Sequence, residues 1–385
     1  MNDRFPPNEL FSLLDRNPTY QLGESTTPNL KLSDLLDEHA LARLMSLDIA
    51  YGTPTGNADL RDAIGKILGV GAEEVMITVG GAAALFLINL VLLGKGDEAV
   101  IPTPNFPPTA DAMAALDASV TRVPLRFDNG YRYDDDAFRA ALGPGTKLVH
   151  IVSPQNPSGV AFATAEVATL LAAMDEICPE AYLVVDEAYR EAVYGNARPQ
   201  PSAAAIGDRV LTLSSFSKCH GAPGIRTGWL TCRDSELYER LRIAKMNIFV
   251  SHSVVDEALA LEVMARRDRI LSDRRRHLGT GVARVADWAV ANAELIEWLR
   301  PDGGALSCAR LRAERFGGDG IERFHDAVAA HDAMVSRGEW FGDEPSVFRL
   351  GFGHLPLDTL DAALERLSAA LRESADSAPP RSRTG

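Results

Sequence analysis

The sequence predicts an α/β protein: a mostly parallel central sheet flanked by helices, followed by a smaller α+β domain. Short β-branched runs, VMITV at 75–79, KLVHIV at 147–152, AYLVVD at 181–186 and RVLTLSS at 209–215, alternate with helical stretches such as VATLLAAMDEI at 167–177. Beyond Ser251 the chain turns mainly helical and more charged, with room for two long helices over 254–299. Its 385 residues, 46% hydrophobic and 24% charged, suffice for two domains around a substantial core.

Taken in order, residues 1–47 are rich in Pro, Asn and Thr, with one helical segment from Leu32 to Leu44, and read as an arm that packs with the small domain. Residues 48–270, with the strand–helix alternation, form the large domain, and 271–373 the small one. Leu357, Leu360, Leu364, Leu367 and Leu371 recur at helical spacing and predict a helix packed on a small sheet. Residues 374–385 are expected to be a disordered tail. The most apolar segment, AALFLINLVLLGKG, is too short to span a bilayer and predicts a buried helix.

A formal charge of −14 disfavours attraction to nucleic-acid phosphate or to an anionic membrane surface. Cysteines 178, 219, 232 and 308 form no CxxC pair and are too sparse for a disulfide framework, so a reducing, cytoplasmic setting is expected. The first residues lack the basic start and apolar core of a signal peptide. No metal is expected.

The segment SSFSKCHGAPGIRTGW, 214–229, follows a predicted strand. A lysine there, Lys218, lies beyond the carboxyl end of the sheet, where open α/β folds bind ligands. Ser215, Ser217 and Arg226 flank it, so hydroxyls and a guanidinium can converge on one phosphate beside an amine. The segment resembles the SxSKxxGxxGxRxG signature of class I/II aminotransferases, the fold-type I enzymes that use pyridoxal 5′-phosphate (PLP). Further segments match the family in its order, between Tyr51 and Phe352.

The resemblance implies that Lys218 holds PLP as a Schiff base and carries protons, and that Asp186, ending the strand AYLVVD, keeps the pyridine nitrogen protonated. Tyr189 and Asn156, the latter in the turn SPQNPSG, would hydrogen-bond the cofactor's phenolic oxygen. Gly80, Gly81 and Ala82, at a strand-to-helix turn, would bind its phosphate at a helix N-terminus. Phe106 would stack on the ring, and Tyr51 of YGTPTG would reach the neighbouring subunit's phosphate, which implies a homodimer with shared sites. Arg349, in VFRLGF, would hold the substrate α-carboxylate, with Arg310 and Arg312 close by in sequence.

Against any of these, taken singly, stands a bland reading: a strand-end carboxylate, an ordinary turn, a core phenylalanine. Two residues are more open. Gly23 and Glu24 fall where relatives place substrate, and Glu24 is either a binder of a basic group or a solvated arm carboxylate. His220 is either a loop histidine or an acid or base on the substrate side. Ala305 to Cys308 follow Gly303-Gly304 where relatives often carry an aromatic, and Arg337 stands where a related loop has proline. The expected activity is transfer of an amino group between an amino acid and a 2-oxo acid. The alternative is a PLP-dependent cyclase, lyase or replacement enzyme, since SKxxGxPGxRxGW and VFRLGFG resemble capreomycidine synthase-like members of the family. A non-catalytic PLP-binding protein is a more distant reading, disfavoured by the retained lysine.

Overall fold

The computed structural model describes residues 4–6, 9–11 and 15–376. Its main sheet has seven strands: β2 Val75–Val79, β3 Glu98–Thr103, β4 Ser119–Pro124, β5 Thr146–Val152, β6 Tyr182–Asp186, β7 Val210–Ser215 and β8 Thr227–Thr231, in the order β2-β8-β7-β6-β5-β3-β4. Only β8 runs against its neighbours. Strands β2, β7, β6, β5 and β3 therefore point the same way, and their carboxyl ends line one edge of the sheet. The β-branched and leucine-rich strands are buried on both faces, as a helix-covered parallel sheet requires. The apolar stretch near residue 90 becomes the helix Gly80–Leu92, which packs Ala84, Leu85, Leu87 and Ile88 into that core. Among the described residues no helix is long and apolar enough to cross a membrane. All four cysteines are buried and free.

A second, antiparallel sheet joins β9 Ile296–Leu299, β10 Leu306–Leu311, β12 Ser336–Arg337 and β13 Val347–Gly351 in the order β12-β13-β10-β9. The long helix Arg267–Ala291 packs Leu271, Leu278, Val282 and Val285 against Phe348, Phe352 and the helix Leu357–Ser374. That last helix buries Leu360, Leu364, Leu367 and Leu371 on one stripe, at the spacing noted in the sequence.

Two sequence expectations differ in detail. The helical segment from Leu32 to Leu44 is two helices, Leu32–Leu35 and Glu38–Met45, because Asp37 leaves the helix and caps the second one by accepting from Ala40 N at 2.8 Å. The end of the 254–299 stretch is strand β9 rather than helix, paired to β10 over Ile296 to Leu299. Of the expected tail, Ser374 closes the last helix, and residues from 377 on lie outside the described residues.

The arm threads between the two sheets. β1, Tyr20–Gln21, pairs in parallel with β11, Ala333–Met334. Gly351 N then donates to Leu22 O at 2.7 Å, and Thr27 N to Lys218 O at 3.2 Å. A side chain at Gly351 would overlap the Glu24 carbonyl, so glycine is what lets the arm lie this close to β13.

Candidate active site

The strand ends bring the predicted residues to one edge. Asp186 ends β6, Ser215 ends β7, Gly80 follows β2, Asn156 lies four residues beyond the end of β5, and Phe106 three beyond that of β3. Register sets Val152 beside Asp186 and Asp186 beside Leu213, so the loops after β5, β6 and β7 leave the sheet together.

Lys218 projects from the loop after β7. Its Nζ lies 3.1 Å from Ser25 Oγ and 3.7 Å from Glu24 Oε1, both on the arm. Tyr189 Oη donates to the same Ser25 oxygen at 3.0 Å. The Glu24 carboxylate also accepts from Ser25 N at 2.7 Å and Thr26 N at 3.1 Å. Burial pushes its pKa up, but Lys218, the Ser25 amide, Arg349 and His354 together outweigh burial and hold it below the usual value. Asp186 is buried, with Oδ1 accepting from Ala188 N at 2.8 Å. Burial pushes this carboxyl up to about 7, against the pull of the Ala188 amide and Lys218. Its ionised form therefore calls for a further cationic partner.

Arg349 forms the opposite wall. Its Nη1 donates to Asn156 Oδ1 at 2.8 Å, and its Nη2 to Gly23 O at 2.5 Å and Ser336 Oγ at 3.0 Å. The guanidinium lies 4.7 Å from the centre of the Phe341 ring. It is 2% exposed, and its Nε has no partner. Arg310 and Arg312, the neighbours in sequence, face elsewhere: both pair with Glu297, and Arg310 also with Asp128. Phe106 is half-buried at the start of the helix Pro107–Ala114, and Asn105 N, beside it, donates to Phe341 O at 3.0 Å. The loop after β3 is thereby tied to the floor beneath Arg349.

Gly80 opens the helix Gly80–Leu92 with φ 70°, and Arg226 Nη2 lies where a side chain on Gly80 would begin, 2.5 Å from that point. The guanidinium thus lies beside the start of that helix. Arg226 is exposed and its Nη1 also donates to Pro223 O at 3.0 Å, while Ser217 N donates to Ser215 Oγ at 3.3 Å. Gly81 and Ala82 continue the first turn, Ala82 being exposed. A helix N-terminus with a guanidinium beside it is chemistry suited to an anion. A helix start suited to an anion, a primary amine and a buried carboxylate awaiting a cation fit the donors and acceptors of PLP.

Two candidates do not join this group. His220 is 2% exposed and faces inward, with Nε2 3.4 Å from Glu191 Oε2 and its ring edge-on to Phe216. Burial pushes its pKa down to about 4, so it is a neutral core histidine near neutral pH. Tyr51 is 88% exposed and takes no part in the cluster around Lys218. Ser25 and Ser336, in contrast, were not singled out from sequence. The sequence signal for Ser25 is its place beside Gly23 and Glu24, which fall where relatives place substrate; Ser336 carries none.

The family model described as aminotransferase class I and II matches residues 20–367. Capreomycidine synthase of Streptomyces vinaceus is 30% identical over 88% of this chain and 84% of its own length. Arginine–pyruvate transaminase of Pseudomonas aeruginosa is 27% identical over 87% of this chain and 84% of its own. Among solved structures, a PLP-dependent aminotransferase from Streptococcus suis superposes with a TM-score of 0.88 at 24% identity, covering 98% of this chain and 100% of that one.

Proposed function

Because this chain belongs to the class I and II aminotransferase family, a PLP-dependent family, we propose that it transfers an amino group between an amino acid and a 2-oxo acid, with PLP anchored at Lys218. The observation that carries this reading is the convergence of Lys218 and Tyr189 on one arm serine, between Asp186 on one side and the Arg349–Asn156 pair on the other.

Asp186 would face the pyridine nitrogen, with Asn156 and Tyr189 on the ring hydroxyl and Phe106 against the ring. Gly80, Gly81, Ala82, Ser215, Ser217 and Arg226 would bind the phosphate. When bound, the cofactor supplies an electron sink for the electrons left on the substrate Cα. Lys218 Nζ would take the proton from Cα and deliver it to the cofactor's C4′, so that the nitrogen stays with the cofactor and the substrate leaves as a 2-oxo acid. Arg349, already desolvated, exchanges part of its present contacts for the substrate carboxylate and so fixes the orientation of the Cα–H bond. The Gly23 carbonyl holds that guanidinium, and Glu24 borders the amine. His220 has no part in these steps.

A homodimer with shared sites belongs to the same proposal. Tyr51 and Ile49 are each 88% exposed and Met45 79%, an apolar surface that a second copy would cover.

A cyclase, lyase or replacement reaction is the second reading, favoured by the 30% identity to capreomycidine synthase. Nitrogen accounting separates the two. The holoenzyme is mixed with each amino acid of a panel that includes L-arginine, without an acceptor. Transamination bleaches the visible cofactor band, releases a 2-oxo acid, and needs an added 2-oxo acid for the band to return. Return of the band without acceptor, with the α-nitrogen kept in the product, establishes a cyclase or replacement reaction instead. Released ammonia establishes elimination or oxidation.

A further inference from the structure

We propose that Ser25 is a positioning residue for Lys218, holding the amine whenever it is not bonded to the cofactor and setting it against Tyr189. This rests on the reading of Lys218 given above.

Ser25 is 4% exposed, and its Oγ accepts from two groups: Lys218 Nζ at 3.1 Å and Tyr189 Oη at 3.0 Å. A hydroxyl oxygen has two lone pairs, so both can be satisfied at once. The serine is itself fixed. Glu24 Oε1 accepts from the amides of Ser25 and Thr26. Two residues on, Thr27 Oγ1 donates to Lys218 O at 2.9 Å, and Thr27 N donates to the same oxygen at 3.2 Å. Residues 24–27 thus grip the lysine at its backbone and at its amine. On the other side, the Gly23 carbonyl accepts from Arg349. One short stretch of arm therefore sets the distance between the proton carrier and the carboxylate anchor.

A long lysine side chain has much rotamer freedom to lose on being fixed. Once substrate has displaced the lysine from the cofactor, nothing covalent confines its amine. Ser25 confines it by accepting an N–H, which leaves the nitrogen lone pair free to take the Cα proton. Glu24 Oε1, 3.7 Å away, faces the amine once it has taken that proton. Alanine at position 25 deletes the acceptor and leaves backbone and grip in place. Threonine keeps the acceptor.

The test compares wild-type, Ser25→Ala and Ser25→Thr holoenzymes. Cofactor content is expected to be equal in all three. Exchange of the α-hydrogen for deuterium is then followed by proton NMR in D2O, using whichever proteinogenic amino acid the wild type exchanges fastest. Ser25→Ala is expected to exchange about tenfold more slowly at saturation with little change in KM, and Ser25→Thr to regain most of the rate. The pH midpoint of the bound cofactor's visible band is expected to shift in Ser25→Ala and to return in Ser25→Thr, because the acceptor shared with Tyr189 is lost and restored. Unchanged exchange and midpoint in Ser25→Ala overturn the proposal while leaving the role of Lys218 intact. A wild type with no visible band overturns both. Loss of cofactor in Ser25→Ala alone shows that the residue acts in binding, and also overturns the positioning role.

Discussion

With burial holding its carboxyl near 7, Asp186 in the cofactor-free protein keeps a proton over a pH range where the unfolded chain, starting from 3.8, has lost it. The folded state then binds more protons than the unfolded one. Its contribution to stability is complete below the unfolded value and is lost as pH rises through about 7. Asp186→Asn removes this dependence. The variant's Tm, measured without cofactor, is expected to gain on the wild type between about pH 5 and about pH 8. With cofactor added at the higher pH the order reverses, since the wild type regains a cationic partner and the variant does not. Parallel melting curves at both pH values would separate Asp186 from this role. Lys218, Asp186, Asn156 and Arg226 were legible in sequence because each is tied to a strand end or turn that local pattern reveals. Ser25 was not, because its partners are 164 and 193 residues away and no periodicity encodes such a contact. The two open readings of His220 resolve for the same reason: its surroundings, Glu191 and Phe216, include a loop that local sequence does not bring near.

At the scale of elements, the alternation of β-branched runs and helices was sufficient for the main sheet, and the leucine repeat for the last helix. Sequence reasoning fell short where tertiary pairing overrides local pattern. Ile296 to Leu299 sit at the end of a helical stretch, yet they complete the edge of the small sheet by pairing with β10. The arm is the clearer instance. Composition marks it as irregular, but its path is fixed by distant partners: β11 for Tyr20 and Gln21, β13 for Leu22, and the loop after β7 for Thr27. Gly351 and Gly221 are local traces of this path, each approaching an arm carbonyl, of Glu24 and of Pro28, too closely for a Cβ.

For the whole molecule, exposed Tyr51 and its apolar neighbours matter more than any single contact within the chain. If Tyr51 completes the partner's phosphate site, Lys218→Ala and Tyr51→Phe subunits should complement each other. In a mixed dimer, the Tyr51→Phe chain keeps its lysine and borrows the intact tyrosine of the Lys218→Ala chain, so one site of two is whole. Mixing the two proteins through reversible denaturation and measuring bleaching of the cofactor band by an active amino acid should show recovery beyond the sum of the parents. Turnover by a protein that sediments as a monomer would refute the shared site.

Lys218 as the cofactor's anchor is the claim on which the rest depends, and chemical trapping tests it directly. The protein is loaded with PLP, reduced with borohydride, digested and mapped by mass spectrometry. The account predicts one modified peptide, carrying the reduced cofactor on Lys218. Lys245 is the control, because it is buried and burial lowers its pKa to about 8, which favours the neutral, nucleophilic amine. Its Nζ donates to the Pro54 carbonyl, near Glu257 and outside the site. Label on Lys245, or on no lysine, would contradict the account.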